Sequence, residues 1–120
     1  MNVQVKALAA PLLREAIVHN GKLILFVHNL ADPAHGEVQS YLNASKGDNI
    51  TFKVSTSTGN EYSQELPVES PADAPFEFKI PKKTFEEKFV KGATAKLSYR
   101  VQTSSGNTAQ SAELLVYLEH

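Results

Sequence analysis

The residue types able to do chemistry are present in this chain, but their spacing does not gather them. His19, His28 and His35 are nine and seven residues apart, which fits neither an HxH nor an HExxH metal-binding pattern. His19 sits at a turn signal, His28 ends an apolar run and His35 falls in a loop, so each reads as a structural or solvated side chain. Even if His28 and His35 met across a hairpin, a zinc site would need further ligands, and the chain has no cysteine. Asp32, Glu37, Asp48 and Asp73 lie near turns without the converging oxygens that calcium needs. Asp48 after Gly47 is explained by turn chemistry.

Nucleophilic and acid–base chemistry fare no better. Ser55, Ser57, Ser63, Ser104 and Ser105 are plentiful, but none sits in a GxSxG elbow. Glu86 and Glu87 are adjacent carboxylates, yet on a helix they point in different directions. A glycosidase pair must face across a cleft. Gly47, Gly59, Gly92 and Gly106 come one per turn, as hairpins require, and do not cluster into a phosphate cradle. The expectation is a non-enzyme without catalytic, cofactor-binding or metal-ligating residues. What remains is a possible interaction surface. Tyr41 and Tyr117 are the outward aromatics, Leu115 shares the parity of Tyr117, and Tyr62 is a third ring on which a sugar could stack.

The elements that would position these residues are strands. Gly92–Val116 holds two strand-like runs joined by Ser105-Gly106-Asn107. In the first, Ala95, Leu97, Tyr99 and Val101 alternate with polar residues, giving one apolar and one wet face. In the second, Ala112, Leu114 and Val116 hold one face. Earlier runs read as strands over Arg14–Val18, Lys22–His28, Val38–Leu42, Ile50–Val54, Tyr62–Val68 and Phe76–Ile80, separated by turn signals. The continuous apolar run from Lys22 suits a central strand covered on both faces. Pro67, Pro71 and Pro75 mark an edge. Thr84-Phe85-Glu86-Glu87 fits a capping box, predicting a short helix near 84–90 with Thr84 as N-cap, Glu87 reaching back, and Phe85 and Phe89 on one face. Seven or eight short strands predict an all-β sandwich. The expected core is Leu25, Val27, Ile50, Phe52, Val54, Leu66, Phe76, Phe78, Ile80, Leu97, Tyr99, Val101, Leu114 and Val116, with the Tyr99 hydroxyl on a backbone partner.

At 120 residues the chain is one domain on length. A net charge of -1 offers no basic field for nucleic acid, and no apolar run reaches the roughly 18 residues of a membrane span. Residues 1–12 read as a lead-in or linker and residues 13–117 as the sandwich. Leu118-Glu119-His120 reads as the remnant of a purification-tag junction, so His120 is assigned no role. Met1-Asn2-Val3-Gln4 does not begin a signal peptide.

Several stretches occur in a familiar order: Pro11…Arg14-Glu15-Ala16, Lys46-Gly47-Asp48-Asn49-Ile50-Thr51-Phe52, Tyr62…Pro67-Val68, and Phe76-Glu77-Phe78-Lys79-Ile80-Pro81. Gly92-Ala93-Thr94…Tyr99-Arg100-Val101 and Ser105-Gly106-Asn107…Ser111-Ala112-Glu113-Leu114 follow. The set resembles the immunoglobulin-like repeat modules of large bacterial, pseudomonad-type surface and adhesin-like proteins, over roughly residues 10–117. Such modules often carry a Trp where this chain has Val54, and this chain has no Trp. The resemblance implies an immunoglobulin-like antiparallel β-sandwich with a spacer or adhesive role, displayed on a cell surface or secreted as part of a longer protein. Its partners would be neighbouring modules or an unknown protein, and the isolated domain would be a monomer. The alternative is a small carbohydrate-binding module using Tyr41, Tyr62 or Tyr117.

Overall fold

The computed structural model describes residues 8–41 and 44–120. Within them the strands are β1 (Leu12–Leu13), β2 (Ile17–His19), β3 (Lys22–Phe26), β4 (Ala34–Val38), β5 (Asn49–Thr56), β6 (Glu61–Pro67), β7 (Phe76–Ile80), β8 (Thr94–Gln102), β9 (Thr108–Gln110) and β10 (Leu114–Glu119). A 3-10 turn spans Pro71–Asp73, and a single-turn helix, α1, spans Lys83–Glu86. Two sheets form an all-β sandwich. The smaller runs β1-β4-β7; the larger runs β2-β3-β10-β8-β5-β6, with β9 added to β8.

The large sheet is built around its two most regularly alternating strands. β5 and β8 pair antiparallel from Asn49↔Gln102 to Thr56↔Ala95. Ile50, Phe52 and Val54 on one strand and Leu97, Tyr99 and Val101 on the other face inward and are buried. The small sheet closes over them. The Phe78 ring on β7 stacks on Phe52 at 4.9 Å between centroids. Gly36 on β4 lies so close to the same ring that a Cβ there would sit 2.5 Å from Phe52 Cζ. Glycine is required at this point by close approach. The expected core is buried throughout except for Leu66 and Leu114, which are half-buried against it.

Several elements differ from expectation for identifiable reasons. The strand predicted over Arg14–Val18 is broken by a turn in which the Ala16 amide donates to the Leu13 carbonyl at 3.2 Å. Leu13, ahead of that range, is core, and β2, which takes in the last two residues of the range, is exposed throughout. β3 ends at Phe26 and lies one strand in from the edge, paired with β2 and, in parallel, with β10. Its outer face is uncovered, and Phe26 is exposed there. The strand expected over Val38–Leu42 lies earlier, at Ala34–Val38, and Leu42 falls outside the described residues. Pro67 does mark an edge, since β6 is the last strand of the large sheet.

The run after Asn107 divides into β9 and β10. Ser111 causes the break: its hydroxyl accepts the Tyr99 amide at 2.9 Å, a role a backbone carbonyl would fill in a continuous ladder. The Ala112 amide then turns away to the Leu8 carbonyl, also at 2.9 Å. Ala112 is therefore exposed instead of sharing the face of Val116. Tyr99 is buried as expected and its phenol pKa is raised by burial. Among the described residues, however, its hydroxyl finds no partner, contrary to the expected backbone bond.

The capping box does not form. The N-cap of α1 is Lys82, with no side-chain bond, while Thr84 lies buried in the first turn and Glu87 is the C-cap. The chain starts to turn at Pro81, whose carbonyl accepts the Thr84 amide at 3.0 Å. Phe85 is buried under the turn, and Phe89 lies beyond the helix, half-buried against the core. Leu118 and Glu119 extend β10, where they pair with Leu25 and Phe26, and Leu118 is buried in the core.

Candidate functional site

Strand alternation and register decide which side chains reach the outer face of the large sheet. Inward Phe52 and Val54 leave Lys53 and Ser55 pointing out; inward Leu97 does the same for Lys96 and Ser98. Register then builds rows across the strands. Glu61, Ser55 and Lys96 form one row, and Ser63, Lys53 and Ser98 the next. Short serines between longer charged side chains hollow this part of the face into an open trough of about 600 Å³, closed at one side by Glu113 from the break between β9 and β10.

The other half of the same face is apolar. Ile17 on β2, Ile24 on β3 and Tyr117 on β10 lie side by side in one row. Ile24 is buried by its neighbours although it points outward, while Ile17, Phe26 and Leu115 remain 52, 39 and 42% exposed. The Lys22 ammonium sits 5.0 Å above the centre of the Tyr117 ring, a cation–π arrangement.

The four residues expected to form an interaction surface therefore divide. Leu115 and Tyr117 stand two apart on β10 and share the apolar half-face. Tyr62 is opposite Val54, on the inward side of β6. Its hydroxyl donates to the Lys79 carbonyl of β7 at 2.9 Å, tying the edge of the large sheet to the small one. Tyr41 is half-buried ahead of β5, and its hydroxyl donates to Asp48 Oδ2 at 2.7 Å. The Tyr41 pKa is pushed well above the ordinary phenol value, first by burial and then by that bond. Asp48 is buried and also accepts the Ser45 amide at 3.1 Å, closing the turn expected there. The three tyrosines do not make a common platform.

Several other polar groups hold segments in place. Arg14 reaches from the turn after β1 to Glu37 and Glu77, which face each other across β4 and β7. These two hydrogen bonds raise the arginine pKa above its ordinary value. Glu15 accepts both the His35 amide at 2.8 Å and its ring Nδ1. The His28 ring stacks on His120 at 5.0 Å. Among the described residues, no three His, Asp or Glu side chains converge as a metal site, and no helix is long and apolar enough to cross a membrane.

The trough of Lys53, Lys96, Glu61 and three serines was not singled out from sequence. The signal was there: Lys53-Val54-Ser55 and Lys96-Leu97-Ser98 repeat one motif, whose apolar centre fixes both flanking residues outward. What the sequence lacked was the register that sets the two motifs beside each other. Comparison with protein-family models, with curated proteins and with solved structures finds no match.

Proposed function

We propose that this domain is a non-catalytic spacer or adhesive module, an immunoglobulin-like unit within a larger bacterial surface or secreted protein. One observation carries the reading: Leu8 and Glu119 lie at opposite ends of the segment that runs from Ser111 through β10. Leu8 bridges Ser111 in parallel, and the same strand direction continues to Glu119, beside Phe26 of parallel β3. The Ser111 amide donates to the Tyr99 carbonyl, two residues along β8 from Leu97, the partner of Leu114; with the five steps along β10 to Glu119, about seven strand residues at a rise of about 3.3 Å separate Leu8 from Glu119 by roughly 23 Å. Each such unit would add length to a chain of modules, with its own core inside.

Tension between the two ends would fall on these parallel pairs along the strands. Their hydrogen bonds would then be strained together, without peeling open one by one. The bacterial surface setting rests on the ordered turn-and-strand resemblance over residues 10–117. The apolar half-face around Ile17, Phe26, Leu115 and Tyr117 is the part of the surface suited to a neighbouring module or protein partner. The isolated domain is expected to be a monomer.

A two-copy tandem joined end to end tests the reading by small-angle X-ray scattering. The spacer account expects a maximum dimension that exceeds the 47 Å long extent of one copy by at least the roughly 23 Å that about seven strand residues set between its two ends. Two copies folded back to the length of one would overturn it.

A further inference from the structure

The trough on the outer face of β6, β5 and β8 holds charged groups that the fold does not use. Lys53 and Lys96 are diagonal neighbours on β5 and β8, since Lys53 is opposite Ser98 and Lys96 opposite Ser55. Diagonal positions place Cβ atoms about 7–8 Å apart. Two four-carbon stems therefore let both ammonium groups reach a single point above Ser55 and Ser98. Among the described residues, neither lysine forms an ion pair, and neither do Glu61 and Glu113 at the two sides of the trough.

We propose that this trough is a binding site for a saccharide bearing an isolated carboxylate, such as a uronic acid within an otherwise neutral glycan. The carboxylate would sit between Lys53 and Lys96. Sugar hydroxyls would donate to Glu61 and Glu113 and exchange hydrogen bonds with Ser55, Ser63 and Ser98. The charge order selects this ligand class. A positive centre between two negative sides suits one anionic group flanked by hydroxyls. A densely charged polyanion would meet repulsion at both sides. The hollow of about 600 Å³ is of ordinary size for a small-ligand site. No stacking ring is needed: Tyr62, the aromatic residue at its margin, turns its hydroxyl inward to Lys79. The proposal is independent of the spacer reading, because the dimensions of a tandem do not bear on it.

The test is an amide NMR titration of the whole chain with three probes: a glucuronate-containing oligosaccharide, the matching neutral glucose oligosaccharide, and sodium acetate. Saturable shifts centred on Lys53, Ser55, Ser63 and Ser98 are expected with the glucuronate probe alone. Lys53→Gln and Lys96→Gln should each weaken that binding roughly tenfold, the scale of one charged hydrogen bond. Both side chains stand in solvent, so both variants remain folded. Equal binding of acetate would reduce the site to a simple anion site and overturn the saccharide assignment. Equal binding of the neutral sugar, or affinity unchanged in both lysine variants, would overturn the role of the charges. Silence with all three probes at tens of millimolar would overturn the site itself.

Discussion

The large sheet has two wings on either side of β8, and they are made differently. On one side, β5 pairs along its whole length with β8 and from Asn49 to Ser55 with β6. Its inner face lies under the small sheet, and its edge is tied across by Tyr62 to Lys79. On the other side, β10, β3 and β2 are joined by shorter registers, one of them parallel. The last strand, β2, leaves Ile17 and Val18 at 52 and 74% exposure. The first wing buries aromatic area and guards its edge with Pro67 and charge. The second offers apolar surface. Stability should therefore concentrate in the β5–β6 wing, and association in the β10–β3–β2 wing.

The strongest way to break this contrast is to empty the first wing. Phe52→Ala removes a fully buried ring stacked on Phe78 and should cost about 3–5 kcal/mol in denaturant unfolding. Phe26→Ala in the second wing, where the ring is partly exposed, should cost about 1–2 kcal/mol. Equal losses would show that the wings do not differ. Gly36→Ala comes next. The added methyl meets Phe52 Cζ at 2.5 Å, and overpacking of this kind costs about 1–3 kcal/mol. Combining it with Phe52→Leu should give a loss smaller than the sum of the two single losses, because the two changes share one space.

Alkaline pH sharpens the comparison more gently. Tyr41 beside Asp48, at the start of the first wing, has a raised pKa, so the folded state holds its phenol proton more tightly than the unfolded chain does. The stabilisation is complete below the ordinary value of 10.0 and is lost as pH rises from there toward the folded value. Chemical denaturation above pH ~10 should therefore show a steeper fall in stability for the natural chain than for Tyr41→Phe. Matching slopes would remove this link. The smallest effect belongs to Val18→Thr on the exposed edge, which should change stability by no more than about 0.5 kcal/mol.

The first wing was legible in the sequence because its strands alternate strictly. Phe52 flanked by Thr51 and Lys53, and Leu97 flanked by Lys96 and Ser98, assign their faces without ambiguity. β4 was displaced because Ala34-His35-Gly36-Glu37-Val38 lacks that signature. His35 and Glu37 point to the polar side, and Gly36 is small only because Phe52 fills its place. The capping motif at Thr84 was outweighed by tertiary contacts, since the Asn60 side chain donates to the Thr84 and Glu87 carbonyls at 3.0 and 2.7 Å. The division of the last strand at Ser111 depended on a side-chain oxygen standing in for a carbonyl. Of the expected interaction residues, alternation placed Leu115 and Tyr117 correctly on one face. It could not show that Tyr41 and Tyr62 spend their hydroxyls on Asp48 and Lys79.

The account depends most on Leu8 and Glu119 lying at opposite ends of the domain. Pulsed electron–electron resonance between spin labels on Ala9→Cys and Glu119→Cys measures this directly. Both positions are exposed, and the natural chain has no cysteine to compete for label. Ala9 follows Leu8 at the Ser111 bridge, so the strand rise predicts a distance peak at roughly 20–30 Å. Dipolar broadening from labels within roughly 10 Å, about three residues of strand, would place Leu8 and Glu119 together. It would contradict the spacer reading.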